Sequence, residues 1–188
     1  MAGSPCSGSE ALVRAESAAV EMYQFAALML GNEAEALNLV ENTVASVDID
    51  PCADPAAAKG LVQERVLDRA LEIMQRQDPA SFAQVPALAS GNSCIEDDSA
   101  PLSGAEIANL VADAGRGPLR DWLARLSQAQ RAVFVQRAVL GSSNADTARA
   151  INRHSQPSNW TAEAVSRLFR QALCSLASSL LQSAPAHV

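Results

Sequence analysis

From Leu12 the apolar positions Leu12, Ala15, Ala19, Tyr23, Ala26 and Leu30 recur at intervals of three and four, and the stripe stops just before Gly31. That period marks an amphipathic helix, and a glycine past the last apolar position ends one because it takes a left-handed backbone at no steric cost. Asn32 and Glu35 have the spacing of a capping box, so a second helix starts there, with Leu37, Val40, Val44 and Val47 on a single face. The pattern predicts an antiparallel helical hairpin.

Residues 48–55 hold two prolines and three aspartates, a combination that favours a loop, because proline lacks a backbone donor and aspartate bonds locally. Asp54 as N-cap and Pro55 in the first turn open a third helix, expected to run to about Gln77 with Leu61, Val62, Val66, Leu71 and Ile73 on its apolar face. Residues 78–101 lose this periodicity and bring four prolines or glycines, several serines and the run Glu96, Asp97, Asp98. A stretch of that kind reads as a linker between domains. The expected organisation is a helical domain over 9–80, a linker over 81–101 and a second helical domain over 102–183.

In the second domain Ser103 with Glu106 predicts a short helix to about Ala114, and Gly117 with Pro118 starts another carrying Trp122, Leu123 and Leu126. Ser127 with Gln130 caps a helix through Val133, Phe134, Arg137 and Leu140 that stops at Gly141. Ser143 caps one containing Thr147, Ala148 and Ile151, and a last helix is expected from about Thr161 to Leu181. No repeat at solenoid periods is present. With frequent Ala and Leu and only 4% aromatics, the chain is expected to be all-α.

Charge divides the chain as the periodicity does. Residues 1–115 hold 18 acidic and 5 basic side chains (−13), residues 116–188 hold 3 and 9 (+6), and together they make the net −7. A basic module attracts polyanions and an acidic one repels them, so the C-terminal part is the candidate for nucleic acid. The cysteines Cys6, Cys52, Cys94 and Cys174 form no CxxC pair and the only histidines are His154 and His187, which predicts neither a disulfide framework nor a zinc site. Cys174, Trp122 and Phe134 read as core residues, and Glu96, Asp97 and Asp98 as a solvated run rather than a cation site. No cofactor is expected. No serine or cysteine sits in a nucleophile motif, so no enzyme is expected either. The longest apolar stretch, residues 25–30, is far short of the roughly 20 residues that span a bilayer, and no basic-then-apolar leader is present. The expected location is the cytoplasm, without membrane attachment.

The segment "LSQAQRAVFVQRAVLGSSNADTARAI", followed by a connection and "TAEAVSRLFRQAL", resembles region four of bacterial RNA polymerase sigma factors of the extracytoplasmic-function type. Leu126, Gln130, Arg131, Val133, Phe134, Arg137, Gly141, Ser143, Ala148 and Ile151 match in register. The segment "MYQFAALMLGNEAEALNLVENTVASV" resembles sigma region two, with Tyr23, Ala26, Leu28, Leu30 and Gly31 before the glycine break and Leu39, Val40 and Thr43 after it. The two matches stand in family order and cover roughly two thirds of the chain. The resemblance implies a region 2-like bundle and a region 4-like helix-turn-helix, and a sigma-like transcription regulator that binds core RNA polymerase and double-stranded promoter DNA. An anti-sigma factor is a further possible partner.

On that resemblance the recognition helix would place its first residues at base edges and arginines on phosphates, so the DNA-contacting residues are expected to be Arg149, Arg153, Thr161, Ser166, Arg167 and Arg170. The alternative for Arg167 is an i, i+4 pair with Glu163. Polymerase contact is assigned to Asn38, Glu41 and Asn42, polar positions beside Leu39, Val40 and Thr43. Two features depart from the family pattern. Residues 152–160, including Pro157, enlarge a turn that is usually three or four residues long. Residues 55–77 contain no Phe, Tyr or Trp, and 4 basic residues face 3 acidic ones, so no platform is available for stacking unpaired bases. A second reading follows from these: a sigma mimic whose acidic domain binds an anti-sigma factor without engaging DNA.

Overall fold

The computed structural model describes residues 8–47, 54–83, 116–155 and 159–183. Among the described residues there are eight helices and no strand: α1 Gly8–Leu30, α2 Glu33–Ser46, α3 Pro55–Gln77, α4 Pro79–Ala83, α5 Arg116–Arg125, α6 Gln128–Ala138, α7 Asn144–Asn152 and α8 Ala162–Ser183. The chain divides into two compact units, Met1–Glu72 and Ile73–Val188, and the division falls inside α3.

In the first unit α1 and α2 form the expected hairpin. Gly31 has a φ of 70°, a left-handed conformation that glycine adopts freely. Its N–H donates to the Ala27 carbonyl at 2.9 Å. Asn32 is extended, and its side-chain oxygen accepts from the Glu35 N–H at 3.1 Å, satisfying one of the donors that a helix start leaves open. Glu33 and Glu35 lie in the first turn of α2, where the helix dipole favours negative charge.

The buried stripes differ from the expected ones. On α1 the core is Met22, Phe25, Ala26, Met29 and Leu30, while Ala19 and Tyr23 are half-buried. On α2 it is Ala36, Leu39, Val40 and Thr43, whereas Leu37 and Val44 are 49% and 43% exposed. The residues 37, 40, 44 and 47 lie at one edge of the helix, but the hairpin buries the stripe one position round. On α3 the expected Val62, Val66 and Leu71 are buried, with Ala70 beside them, while Ile73 is half-buried and Leu61 is exposed. Thr43 is fully buried because its hydroxyl donates to the Leu39 carbonyl at 2.7 Å, which removes the cost of hiding an unpaired polar group. Lys59 of α3 forms an ion pair with Glu21 of α1.

The second unit is built around α6, where Ala129, Ala132, Val133, Phe134, Val135, Gln136 and Ala138 are all buried. A helix apolar on nearly every side must be surrounded, and α4, α7 and α8 pack on it. Trp122 of α5 meets Phe134 edge to face at 4.8 Å and 77°, and Phe134 lies 6.0 Å from Phe169 of α8. The Trp122 indole N–H donates to the Ser175 hydroxyl at 3.1 Å, so this buried ring keeps its polar edge satisfied. Ser127 and Gln130 form the capping box at the start of α6. Gly141, with a φ of 65°, turns the chain out of it, and the Ser142 N–H returns to the Gln136 carbonyl at 3.0 Å.

Cys174 corrects an expectation. It is half-buried on α8 and disulfide-bonded rather than an isolated core thiol. Residues 81–83, at the start of the stretch read as a linker, belong to α4, and Phe82 is buried in the second unit. Residues 84–101, with Glu96, Asp97 and Asp98, and the helix expected from Ser103 lie outside the described residues.

Candidate nucleic-acid interface

The helix-turn-helix expected from the resemblance corresponds to α7, the connection 153–161 and α8. Ser143 starts α7: its hydroxyl accepts from the Asp146 N–H at 3.1 Å and donates to the Asp146 carboxylate at 2.6 Å. Apolar Ala148, Ala150 and Ile151, with fully buried Thr147, turn one face of α7 inward. α8 buries Ala164, Val165, Leu168, Phe169, Ala172, Leu173 and Leu176. At 100° per residue the opposite face carries Glu163, Ser166, Arg167 and Arg170, neighbours at i, i+3 and i, i+4.

Thr161 is exposed and its hydroxyl accepts from the Ala164 N–H at 3.2 Å, so it is both the cap of α8 and its first outward polar group. Ala162 and Glu163 beside it are exposed, while Ser166, Arg167 and Arg170 are half-buried. The Nε atoms of Arg167 and Arg170 are shielded from solvent. Among the described residues no ion pair joins Arg167 to Glu163. Arg149 has its side chain 71% exposed and pairs with Asp146 at 3.0 Å. Arg153 is exposed at the C-terminal cap of α7. The Ser143 hydroxyl, and then Arg149, hold the Asp146 carboxyl below the usual carboxylate range.

Other arginines counted in the basic excess are engaged by the protein itself. Arg131 donates through Nε to the Leu123 carbonyl at 3.1 Å, and burial pushes its guanidinium pKa down. Arg137 stacks 5.2 Å from the Phe169 ring and donates to the Ser142 carbonyl. Arg125 reaches the Ser179 hydroxyl at 3.0 Å. The matched Arg131 and Arg137 therefore hold α6 to its surroundings, a role that sequence could not separate from charge.

The enlarged turn is closed by its own polar groups. The Asn152 side chain accepts from the Trp160 N–H at 3.0 Å and donates to the Trp160 carbonyl at 2.8 Å, so both ends of the connection are joined across eight residues. Trp160 is buried and its indole N–H donates to the Phe82 carbonyl at 2.9 Å. The carbonyl of Ile151 accepts from the His154 and Ser155 N–H groups and the Ser155 hydroxyl, each at 3.1 Å, and from Gln75 at 3.2 Å. Nothing in the sequence pattern marked Phe82 or Gln75 as partners of this turn.

In the first unit Asn38, Glu41 and Asn42 are exposed and Leu39, Val40 and Thr43 are buried beneath them. Asn42 donates to the Asn38 carbonyl at 2.8 Å and bonds its side-chain oxygen too, fixing both amides on the helix surface. Exposed Leu37 and Val44 flank this polar strip. Among the described residues no cluster of His, Cys, Asp or Glu could hold a metal ion, and no helix is long and apolar enough to cross a membrane.

No protein-family model, curated protein sequence or solved structure matches the chain significantly.

Proposed function

We propose that the chain is a sigma-like transcription regulator: its second unit binds duplex promoter DNA through α8, and its first unit binds core RNA polymerase through α2. The observation that carries the DNA reading is one face of α8, where the exposed cap Thr161 leads onto Arg167 and Arg170, and the preceding helix and its C-cap add the exposed Arg149 and Arg153. A recognition helix needs that arrangement: small polar groups at its first turn to meet base edges, and cations further along for phosphates. On α2 the strip Asn38, Glu41, Asn42 between exposed Leu37 and Val44 offers a surface both polar and apolar, as protein contacts do.

Fluorescence anisotropy with a labelled mixed-sequence duplex, at several salt concentrations, tests the first half. Retention of core polymerase by the immobilised full chain, lost on E41R/N42A, tests the second. A reading without DNA is favoured by one feature: α3 has no aromatic residue on which an unpaired base could stack. In that reading the chain is a sigma mimic for an anti-sigma factor. Capture of an anti-sigma protein with no salt-dependent duplex binding would select it.

A further inference from the structure

A connection of nine residues, 153–161, separates the end of α7 from the start of α8, about twice the usual helix-turn-helix turn. Such a connection does not by itself set the direction of the helix that follows it. Yet both its ends are fixed, and the groups that fix them come from a part of the chain more than seventy residues upstream.

We propose that residues 73–83 act as a strut that seats the first turn of α8, with Trp160 and Gln75 as its positioning residues. The inference rests on the reading of α8 as the DNA-facing helix for its functional meaning, but the strut itself is a claim about the second unit alone. Its physical content lies in two buried bonds. The Trp160 indole N–H donates to the Phe82 carbonyl at 2.9 Å, between residues that are 4% and 2% exposed. Gln75, 9% exposed, donates to the Ile151 carbonyl at 3.2 Å, at the point where α7 ends and the connection begins.

The strut is held in turn by α6. The Ser81 hydroxyl accepts from the Ala129 N–H at 3.3 Å and the Gln77 side chain accepts from Gln128 at 3.1 Å, so α4 and the last turn of α3 are fixed on the N-terminal end of that helix. Trp160 immediately precedes Thr161, and Asn152 bonds both its N–H and its carbonyl. The position of Thr161, Ala162 and Glu163 is therefore referred to α6 through α4 as well as through α7. Any partner or substitution that displaces residues 73–83 is expected to loosen the start of α8 while leaving α6 in place.

Hydrogen exchange on the full chain without DNA reads this directly. Trp160→Phe keeps an aromatic ring, smaller than the indole, and removes the N–H. Gln75→Leu keeps the volume and removes the second bond. Losing one buried hydrogen bond predicts roughly tenfold or faster exchange in residues 159–165 in each variant, with 129–138 unchanged. Exchange in 159–165 no faster than in the parent protein in both variants, or accelerated equally in 129–138, would overturn the strut. A parallel titration with a mixed-sequence 30-base-pair duplex separates the two claims. Weaker duplex binding with faster local exchange ties the strut to DNA reading. No duplex binding by the parent protein, with local exchange still faster in the variants, leaves the strut standing and removes the DNA reading.

Discussion

Replacing Arg167 and Arg170 together by Gln should halve the salt dependence of duplex binding. Four arginines of the α7–α8 segment are exposed or half-buried: Arg149, Arg153, Arg167 and Arg170. If each meets one phosphate, the slope of log affinity against log salt is about −0.9 per contact, or roughly −3.6 in total, and a fourfold rise in salt weakens binding by about 150-fold. The double variant keeps two contacts, a slope of roughly −1.8 and a loss of about 12-fold over the same range. Arg149 must leave Asp146 to take part, but an exposed pair of this kind is worth only about 0.2–1 kcal/mol, so it does not block the contact. Anisotropy titrations of parent and variant over the same salts give both slopes, and a thermal melt shows that the fold survives. Equal slopes in the two proteins would refute the placement of α8 on a duplex.

Three further outcomes follow from the packing and the caps. Gly141→Ala should cost roughly 1 kcal/mol, seen as a lower Tm: a Cβ there meets nothing within 4 Å, so the penalty comes from the φ of +65° alone. Asp146→Asn should destabilise the second unit at neutral pH and converge with the parent in acid. The folded-state carboxyl lies below its ordinary value, so its contribution is full above that value and disappears as the pH falls through the depressed one. Melts at stepped pH check the convergence, and a constant difference down to strong acid would contradict it. Cys174→Ser should lower stability by roughly 2–4 kcal/mol under non-reducing conditions and by little once a reductant is present. Denaturant titrations with and without dithiothreitol separate the two.

Local features were legible in the chain because their causes are local. Asn32 with Glu35, Ser127 with Gln130, and Ser143 each cap the helix they were read to start, and Gly31 and Gly141 each leave one with positive φ. These interactions span three or four residues, so spacing alone reveals them. The choice of buried face was less legible. On α2 the stripes through Leu37 and Val44 and through Ala36, Leu39, Val40 and Thr43 are adjacent, and only the partner helix decides which is covered. Most of the expected site positions are exposed or half-exposed at the surface, but the sequence overstated the cations available to a polyanion, because Arg131 and Arg137 look like any others until Leu123, Ser142 and Phe169 are seen beside them.

The amino-acid order alone determined that the described residues are helical, where most of those helices begin and end, and that acidic and basic side chains are segregated along the chain. Each rests on propensity, capping or composition over a few residues, which no distant contact needs to supply. Tertiary structure decided the rest: which stripe is core, which arginines remain outward, and how an overlong turn holds α8. Gln75 meets Ile151 and Trp160 meets Phe82 across more than seventy residues of chain. A buried donor must find an acceptor somewhere, and which one it finds depends on how the whole unit closes around it.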